Sequence, residues 1–182
     1  VSTLIVGFGN KARHGKDTVA SYVHQALPAD SRLYAFGRAL KGFARVLGMK
    51  GKDGPLLQAL GTDVLRRIDP DIWVRVLAEE IEEDQPRIAL IPDVRFVNEA
   101  DFIRRSGGLL VRVVRLNEDR SPWIAKDRDS THVSEIALDH YRFDVEFPVV
   151  SGDFEGLRKA AHLVTEMIQQ RNHERQTAEG SC

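Results

Sequence analysis

Short apolar runs alternate with amphipathic stretches along this chain. Thr3–Phe8 is almost wholly apolar and reads as a buried strand; Lys16–Leu27 has helical spacing and stops at Pro28. Arg32–Phe36 reads as a second strand, and Ala39–Leu47 as a helix with Gly48 as its stop. Pro55–Ile68 and Asp71–Glu83 read as helices broken at Asp69-Pro70. Arg87–Ile91 is a third apolar strand, Val97–Arg105 a helix closed by Gly107-Gly108, and Leu109–Leu116 a fourth strand. Asn117–Ser130 is polar and charge-rich with one proline, and Thr131–Asp139 reads as a short helix with Thr131 near its cap. Asp144–Val150 is a fifth strand, Phe154–Gln170 a final amphipathic helix, and the polar tail from Arg171 to Cys182 is expected to fray. Strands alternating with helices predict an α/β fold with a parallel sheet covered on both faces. Ligands of such sheets bind at the carboxyl ends of the strands.

Composition narrows the picture only slightly. The 182 residues fit one domain, taken as residues 1–170 with a tail at 171–182. Lys and Arg number 26 against 27 Asp and Glu, so bulk charge gives no reason to expect a nucleic-acid polymer as partner. The single cysteine, Cys182, allows no intrachain disulfide, and no run has the length of a membrane span or the look of a signal peptide. A reducing, cytoplasmic setting without membrane association is the expectation.

The chemistry concentrates first in Asn10-Lys-Ala-Arg-His-Gly-Lys-Asp-Thr18, directly after the first strand. This is the layout of a phosphate-binding loop, in which backbone N–H groups at a helix N-terminus face an anion. Lys11, Ala12, Arg13, His14, Gly15, Lys16, Asp17 and Thr18 are the candidate contacts, and Lys16 would reach the β- and γ-phosphates. Against the pattern G-x-x-x-x-G-K-[ST], Asn10 replaces the first Gly and Asp17 the hydroxyl residue. Asn tolerates a left-handed backbone best among non-glycine residues. Asp17 or Thr18, with Asp93 at the end of the third strand, are the candidate magnesium ligands.

Four further clusters carry cations. Arg38 and Lys41 open the helix after the second strand, where positive charge suits a bound anion better than the helix dipole. Gly61, Thr62, Asp63, Arg66 and Trp73 lie in the next helical region; Asp63 and Arg66 share a face, as either a solvated ion pair or an arginine fork for a second phosphate. Arg95 follows Asp93 and either reaches a substrate phosphate or pairs with Glu99. The segment from Arg115 to Glu135, with Arg120, Lys126, Arg128 and His132, has the character of a lid bringing cations over a phosphate site.

Taken in order, these clusters resemble the deoxynucleoside monophosphate kinases of tailed bacteriophages, including the T-even type. The markers are Lys11-Ala-Arg-His-Gly-Lys-Asp-Thr18, Leu60-Gly-Thr-Asp63 with Arg66, Asp71-Ile-Trp-Val74, Asp93-Val-Arg-Phe-Val-Asn-Glu99 and His132-Val-Ser-Glu135. The Gly-Lys-Asp-Thr variant is itself a feature of that family. The resemblance implies a three-layer P-loop kinase fold with a five-stranded parallel sheet, a helical monophosphate-binding region at about 37–85 and a lid at about 117–135. It implies transfer of the γ-phosphoryl group of Mg2+-bound ATP to a deoxynucleoside 5′-monophosphate. Lys16, Arg95, Arg120 and Arg128 would act on the transferring group; Arg38, Lys41, Gly61, Thr62, Asp63, Arg66, Trp73, Arg95 and Glu135 would line the acceptor site. Members of that family are dimers, so a homodimer is carried over as an implication. Other small-molecule P-loop kinases, for dephospho-coenzyme A or phosphomevalonate, share the fold, and a non-catalytic nucleotide switch is the alternative from another class. The absence of an Asn-Lys-x-Asp guanine-reading motif argues against a GTPase switch.

Overall fold

The computed structural model describes residues 2–49, 57, 59–126 and 129–179. Five strands form one parallel sheet: β1 (Leu4–Gly9), β2 (Ser31–Leu33), β3 (Ile88–Val94), β4 (Leu109–Leu116) and β5 (Val145–Val150), in the order β2-β3-β1-β4-β5. The apolar N-terminal run is the middle strand, paired on both edges, so every residue of it is buried.

Successive side chains leave a strand on opposite faces, and each face has its own helices. On one, Leu4, Val6 and Phe8 pack with Val19 and Val23 of α1 (Lys16–Ala26) and with Val164 and Ile168 of the last helix, α7 (Phe154–Glu179). On the other, Ile5, Ile91 and Leu110 pack with Trp73, Val74 and Leu77 of α4 (Ile72–Asp84) and Ile103 of α5 (Val97–Arg105). Between β2 and α4 lie α2 (Phe36–Val46), a widened π-type helical stretch over Ala59–Leu65 and the single turn α3 (Arg66–Ile68). A four-residue helix, α6 (Val133–Ile136), precedes β5. Among the described residues no helix is long and apolar enough to cross a membrane.

The structure differs from the expected elements in informative places. Phe36 begins α2 instead of ending β2, because the N–H groups of Phe36 and Gly37 are held by the Asp93 carboxylate. Strand β3 continues through Pro92 to Val94: Gly7 pairs with Ile91 and Gly9 with Val94, so β3 carries one extra residue there. That bulge tolerates the missing proline N–H and re-aims the strand end that carries Asp93. The helix expected over 55–68 has its start outside the described residues and is wide-turned where described. The short helix after the lid is capped by His132, whose Nδ1 accepts the Ser134 N–H (3.2 Å), whereas Thr131 gives both its N–H and its hydroxyl to Asp129. The tail does not fray at Arg171. Helix α7 continues to Glu179, with Arg171 donating to the Gly108 carbonyl (2.8 Å) and Arg175 to the Gly107 carbonyl (3.1 Å).

Candidate functional site

The loop from Asn10 to Gly15 leaves the carboxyl end of the central strand and opens directly into α1. Asn10 (φ 117°), Arg13 (φ 61°) and Gly15 (φ 91°) all have left-handed backbones, which curl the loop back over the helix N-terminus. Asn10 therefore performs the turn for which glycine is usual, and its side chain adds what glycine cannot. Its Nδ2 donates to the Val113 carbonyl (3.0 Å) and to His14 Nδ1 (3.3 Å). His14 Nδ1 also accepts the Arg115 N–H (3.0 Å), so that nitrogen carries no proton and the ring is neutral. Burial, then Lys16 and Lys11, push His14 down to about 4. The His14 ring, expected on sequence to contact phosphate, is a brace between the loop and β4.

A pH dependence follows from this brace. The unfolded chain takes up the His14 proton near pH 6.5, whereas the folded chain resists it until about 4. The contribution is complete above pH 6.5 and is lost as pH falls through the window to 4, amounting to about 3 kcal/mol. The stability difference between wild type and His14→Gln, followed by thermal melts between pH 6.5 and 4, should shrink by one proton's linkage as the pH falls. Reading the difference cancels buried Glu99, whose raised carboxyl acts with the opposite sign in both proteins.

Lys16 is only 2 % exposed, and its Nζ donates to the Lys11 carbonyl across the loop (2.6 Å). Burial first, then the Arg95 guanidinium, lower it to about 7. Asp17, Glu135 and Asp93 oppose this lowering only in part, so an anion placed in the loop would favour the charged ammonium. Asp17 is exposed and Thr18 half-buried in the first turn of α1. Asp93 accepts from the Phe36 N–H through Oδ1 (3.0 Å) and from the Gly37 N–H through Oδ2 (2.8 Å). It caps α2 from the neighbouring strand while burial raises its pKa. Among the described residues no three His, Cys, Asp or Glu side chains form a metal-binding group. Asp17, Thr18 and Asp93 are hard oxygen donors, a set that fits Mg2+ held mostly by phosphates and water rather than by a protein cage.

Two buried carboxylates tie the loop to the arginines. Glu135 of α6 accepts the Ala12 N–H through Oε2 (2.9 Å) and an Arg95 N–H through Oε1 (2.7 Å). Glu99 of α5, 1 % exposed, accepts the backbone N–H groups of Arg95 (2.7 Å) and Phe96 (3.1 Å) through Oε2, and pairs with Arg66 through Oε1. Burial pushes the Glu99 carboxyl up, and the Arg66 guanidinium opposes that. Arg66 also stacks over the Phe96 ring at 4.0 Å. The chain Ala12–Glu135–Arg95–Glu99–Arg66 thus runs unbroken from the loop after β1 to the helical region before α4. On sequence Glu135 reads as an acceptor-site contact; its carboxylate is engaged with the protein itself.

The helical region is held by packing. A Cβ on Gly61 would lie 2.5 Å from Leu40 Cδ2, so any larger residue there would require the Leu40 side chain to shift. Trp73, expected at the acceptor site, is instead a core residue, 6 % exposed, whose indole N–H donates to the Gly61 carbonyl (3.2 Å). Thr62 and Asp63 are described by backbone alone. Arg38 extends to Glu80 on α4 (2.6 Å) rather than toward the loop, and Lys41 is exposed on α2.

Two cavities flank the loop. One, of about 260 Å³, lies between Gly15, Asp17, Thr18 and the Ser151–Phe154 turn ahead of α7. The other, of about 370 Å³, lies under Pro122–Ala125 and is bounded by Lys11, Ala12, Arg112 and Glu135. Arg115 borders both. Its guanidinium donates to Ser151 Oγ (2.6 Å) and to the Arg13 carbonyl (3.3 Å), and it lies 4.2 Å from the Trp123 ring, which meets His14 edge-on at 5.8 Å. The segment after β4 therefore folds back against that strand through Pro122 and Trp123. Arg120 stands exposed on a left-handed turn (φ 64°) and borders neither cavity. Arg128 lies outside the described residues. Of the cations in and beside the segment expected on sequence to be a lid, Arg115 at its edge borders both cavities. Its signal is position, since it stands one residue from the end of the strand beside the loop-bearing one.

Comparison with known proteins adds a family match. The profile of the family described as "Deoxynucleotide monophosphate kinase" matches residues 55–145, half of the chain, from the helical region to the start of β5. The chain is 38% identical over 65 residues to the deoxynucleoside-5'-monophosphate kinase of Escherichia phage T5, a match covering 32% of this chain and 26% of that protein. It is 35% identical over 95 residues to a provisionally named deoxynucleotide monophosphate kinase of Acanthamoeba polyphaga mimivirus, covering 46% of this chain and 45% of the relative. The matches thus span less than half the length of either relative. Among solved structures, shikimate kinases share the fold at low identity. That of Bacteroides thetaiotaomicron has a TM-score of 0.55 at 12% identity, over 91% of this chain and 98% of that one. That of Acinetobacter baumannii, in complex with shikimate, has a TM-score of 0.53 at 12% identity, over 93% and 94%.

Proposed function

The chain belongs to the deoxynucleotide monophosphate kinase family, and from that premise we propose that it transfers the γ-phosphoryl group of ATP to deoxynucleoside 5′-monophosphates, giving the diphosphate and ADP. The observation that carries the reading is the continuous link from the anion loop to Arg95 and Arg66 through Glu135 and Glu99. A protein that only held one nucleotide would need the loop; fixed registration to a second set of arginines suits two phosphate groups brought together.

In this reading the donor phosphates lie in the loop from Lys11 to Thr18, with Lys16 turned from the Lys11 carbonyl onto the β- and γ-phosphates. The base and sugar extend past Gly15 and Thr18 into the 260 Å³ cavity, against the Ser151–Phe154 turn and Arg115. Arg95 neutralises charge on the transferring group, and Arg66, with Lys41 at the rim, meets the acceptor phosphate. Mg2+ arriving with ATP would be held by Asp17 or Thr18, with Asp93, and supplies further charge neutralisation. The acceptor is a phosphate oxygen already ionised near neutral pH, so no side chain need act as general base. The protein's work is positioning and electrostatics. The chain through the end of α7 at Glu179, rather than only to residue 170, would form one kinase domain with its acceptor region at about 37–85 and its lid at about 117–135, acting in the cytoplasm on free nucleotides.

The test is direct. Mg-ATP with each deoxynucleoside monophosphate in turn should give acceptor-dependent ADP together with the matching diphosphate. ADP formed at the same slow rate with and without every acceptor would overturn the kinase reading in favour of a nucleotide switch. Turnover with dephospho-coenzyme A or phosphomevalonate alone would reassign the acceptor.

A further inference from the structure

We infer that Glu135 is a positioning residue, which sets Arg95 against the donor phosphate by binding the anion loop and that arginine with one carboxylate; the inference rests on the kinase reading above. Glu135 is buried, and among the described contacts its Oε2 accepts the Ala12 N–H (2.9 Å) and its Oε1 an Arg95 N–H (2.7 Å). Such a bridge fixes the distance between the loop and the guanidinium through two charge-assisted hydrogen bonds from one rigid planar group.

The rest of Arg95 is fixed just as closely. Its own N–H is held by Glu99, whose other oxygen holds Arg66. With the backbone anchored at Glu99 and the guanidinium anchored at Glu135, Arg95 is partly pre-organised, and less of its rotamer freedom is left to be lost on binding. Glu135 also sits on the first helix after the lid segment, with Lys11 paired to Asp139 a turn beyond α6 (2.8 Å). Movement of the lid's C-terminal end would therefore change the position of Arg95. The carboxylate would act through Arg95 and would not itself touch the nucleotide.

Glu135→Gln keeps the shape but cannot accept from both partners equally well, since one oxygen becomes an NH₂ donor facing a cation or an N–H. A displacement of this size at a phosphoryl-transfer site should lower kcat by about a hundredfold. The KM for ATP and the Kd for ADP should stay within about twofold, because the loop is still held by Asn10 and His14. Glu135→Asp should recover part of the loss.

The decisive measurement is a cycle of Glu135→Gln, Arg95→Ala and the double variant, read in kcat with melting temperature as a control for folding. If Glu135 acts through Arg95, the double variant falls no further than Arg95→Ala alone. Multiplicative losses in the double variant, or a loss of melting temperature with kcat preserved, would overturn the positioning role. Wild-type protein with no acceptor-dependent turnover would overturn the kinase reading itself, and this role with it.

Discussion

Lys16→Ala should fold normally and turn over about a thousandfold more slowly than the wild type. The two halves of this expectation have different causes. Stability survives because the lysine is a burden on the unliganded fold: 2 % exposed, its ammonium has one loop carbonyl for a partner and is driven down to about 7. Deleting it removes a desolvated charge, and alanine is the best helix former at the first position of α1. Turnover collapses because no other cation in the loop is placed to replace it. The Arg13 side chain is exposed, and Lys11 is paired with Asp139. Circular-dichroism melts and steady-state kinetics on the same preparation check both halves. A variant that melts normally and keeps near-normal kcat would remove Lys16 from the chemistry.

Arg66→Ala should be the most damaging substitution to stability among the candidate site residues. On sequence alone the expected effect is a raised KM for the monophosphate. The structure adds a larger one, because Arg66 is the only side-chain cation bonded to the fully buried Glu99 among the described contacts. Removing one partner of a buried pair strands the other, at about 3–5 kcal/mol. For a domain of this size that is roughly a 10 °C fall in melting temperature. Without Arg66 the Glu99 carboxyl, already raised to about 7, rises further and binds a proton near neutral pH. Relative to the wild type, the variant should then recover part of its deficit on acidification towards pH 5, since the His14 contribution is common to both proteins. Arg66→Lys should keep the charge but lose the stacking on Phe96. Kinetics at a temperature where the variant is folded should still show a larger rise in KM for the monophosphate than for ATP; equal rises would confine Arg66 to a structural role.

The fold was legible because its signals are local. Apolar runs of strand length alternate with helical spacing, and the limits of α5 and β4 agree with the sequence reading to the residue. Most of the failures trace to distant partners. The third apolar run reads as ending at Ile91, yet β3 passes through Pro92 to Val94 as a bulge paired to β1. Phe36 reads as strand, yet a carboxylate 57 positions later caps it into a helix. The anion loop was legible as a motif, including the turn at Asn10. The use of Glu99, Glu135 and His14 was not, because each joins elements that only the sheet order brings together. Arg38 and Arg120 show the converse. Charge at a promising position marked them, whereas Arg38 extends to Glu80 and Arg120 sits on an exposed turn.

The strand order has a consequence for how the chain reaches this state. β1 is the earliest of the five strands and sits in the middle of the sheet, yet Val6 finds its neighbours at Leu90 and Leu109. Those pairings close loops of great length, and contacts so far apart in sequence slow folding. Until β4 has formed, an entirely apolar strand has at least one open edge. The segment that carries the site is thus also the one most exposed to mispairing with another chain. Folding yield should therefore depend on protein concentration well before activity does, and substitutions in β3 or β4 should be felt first as aggregation.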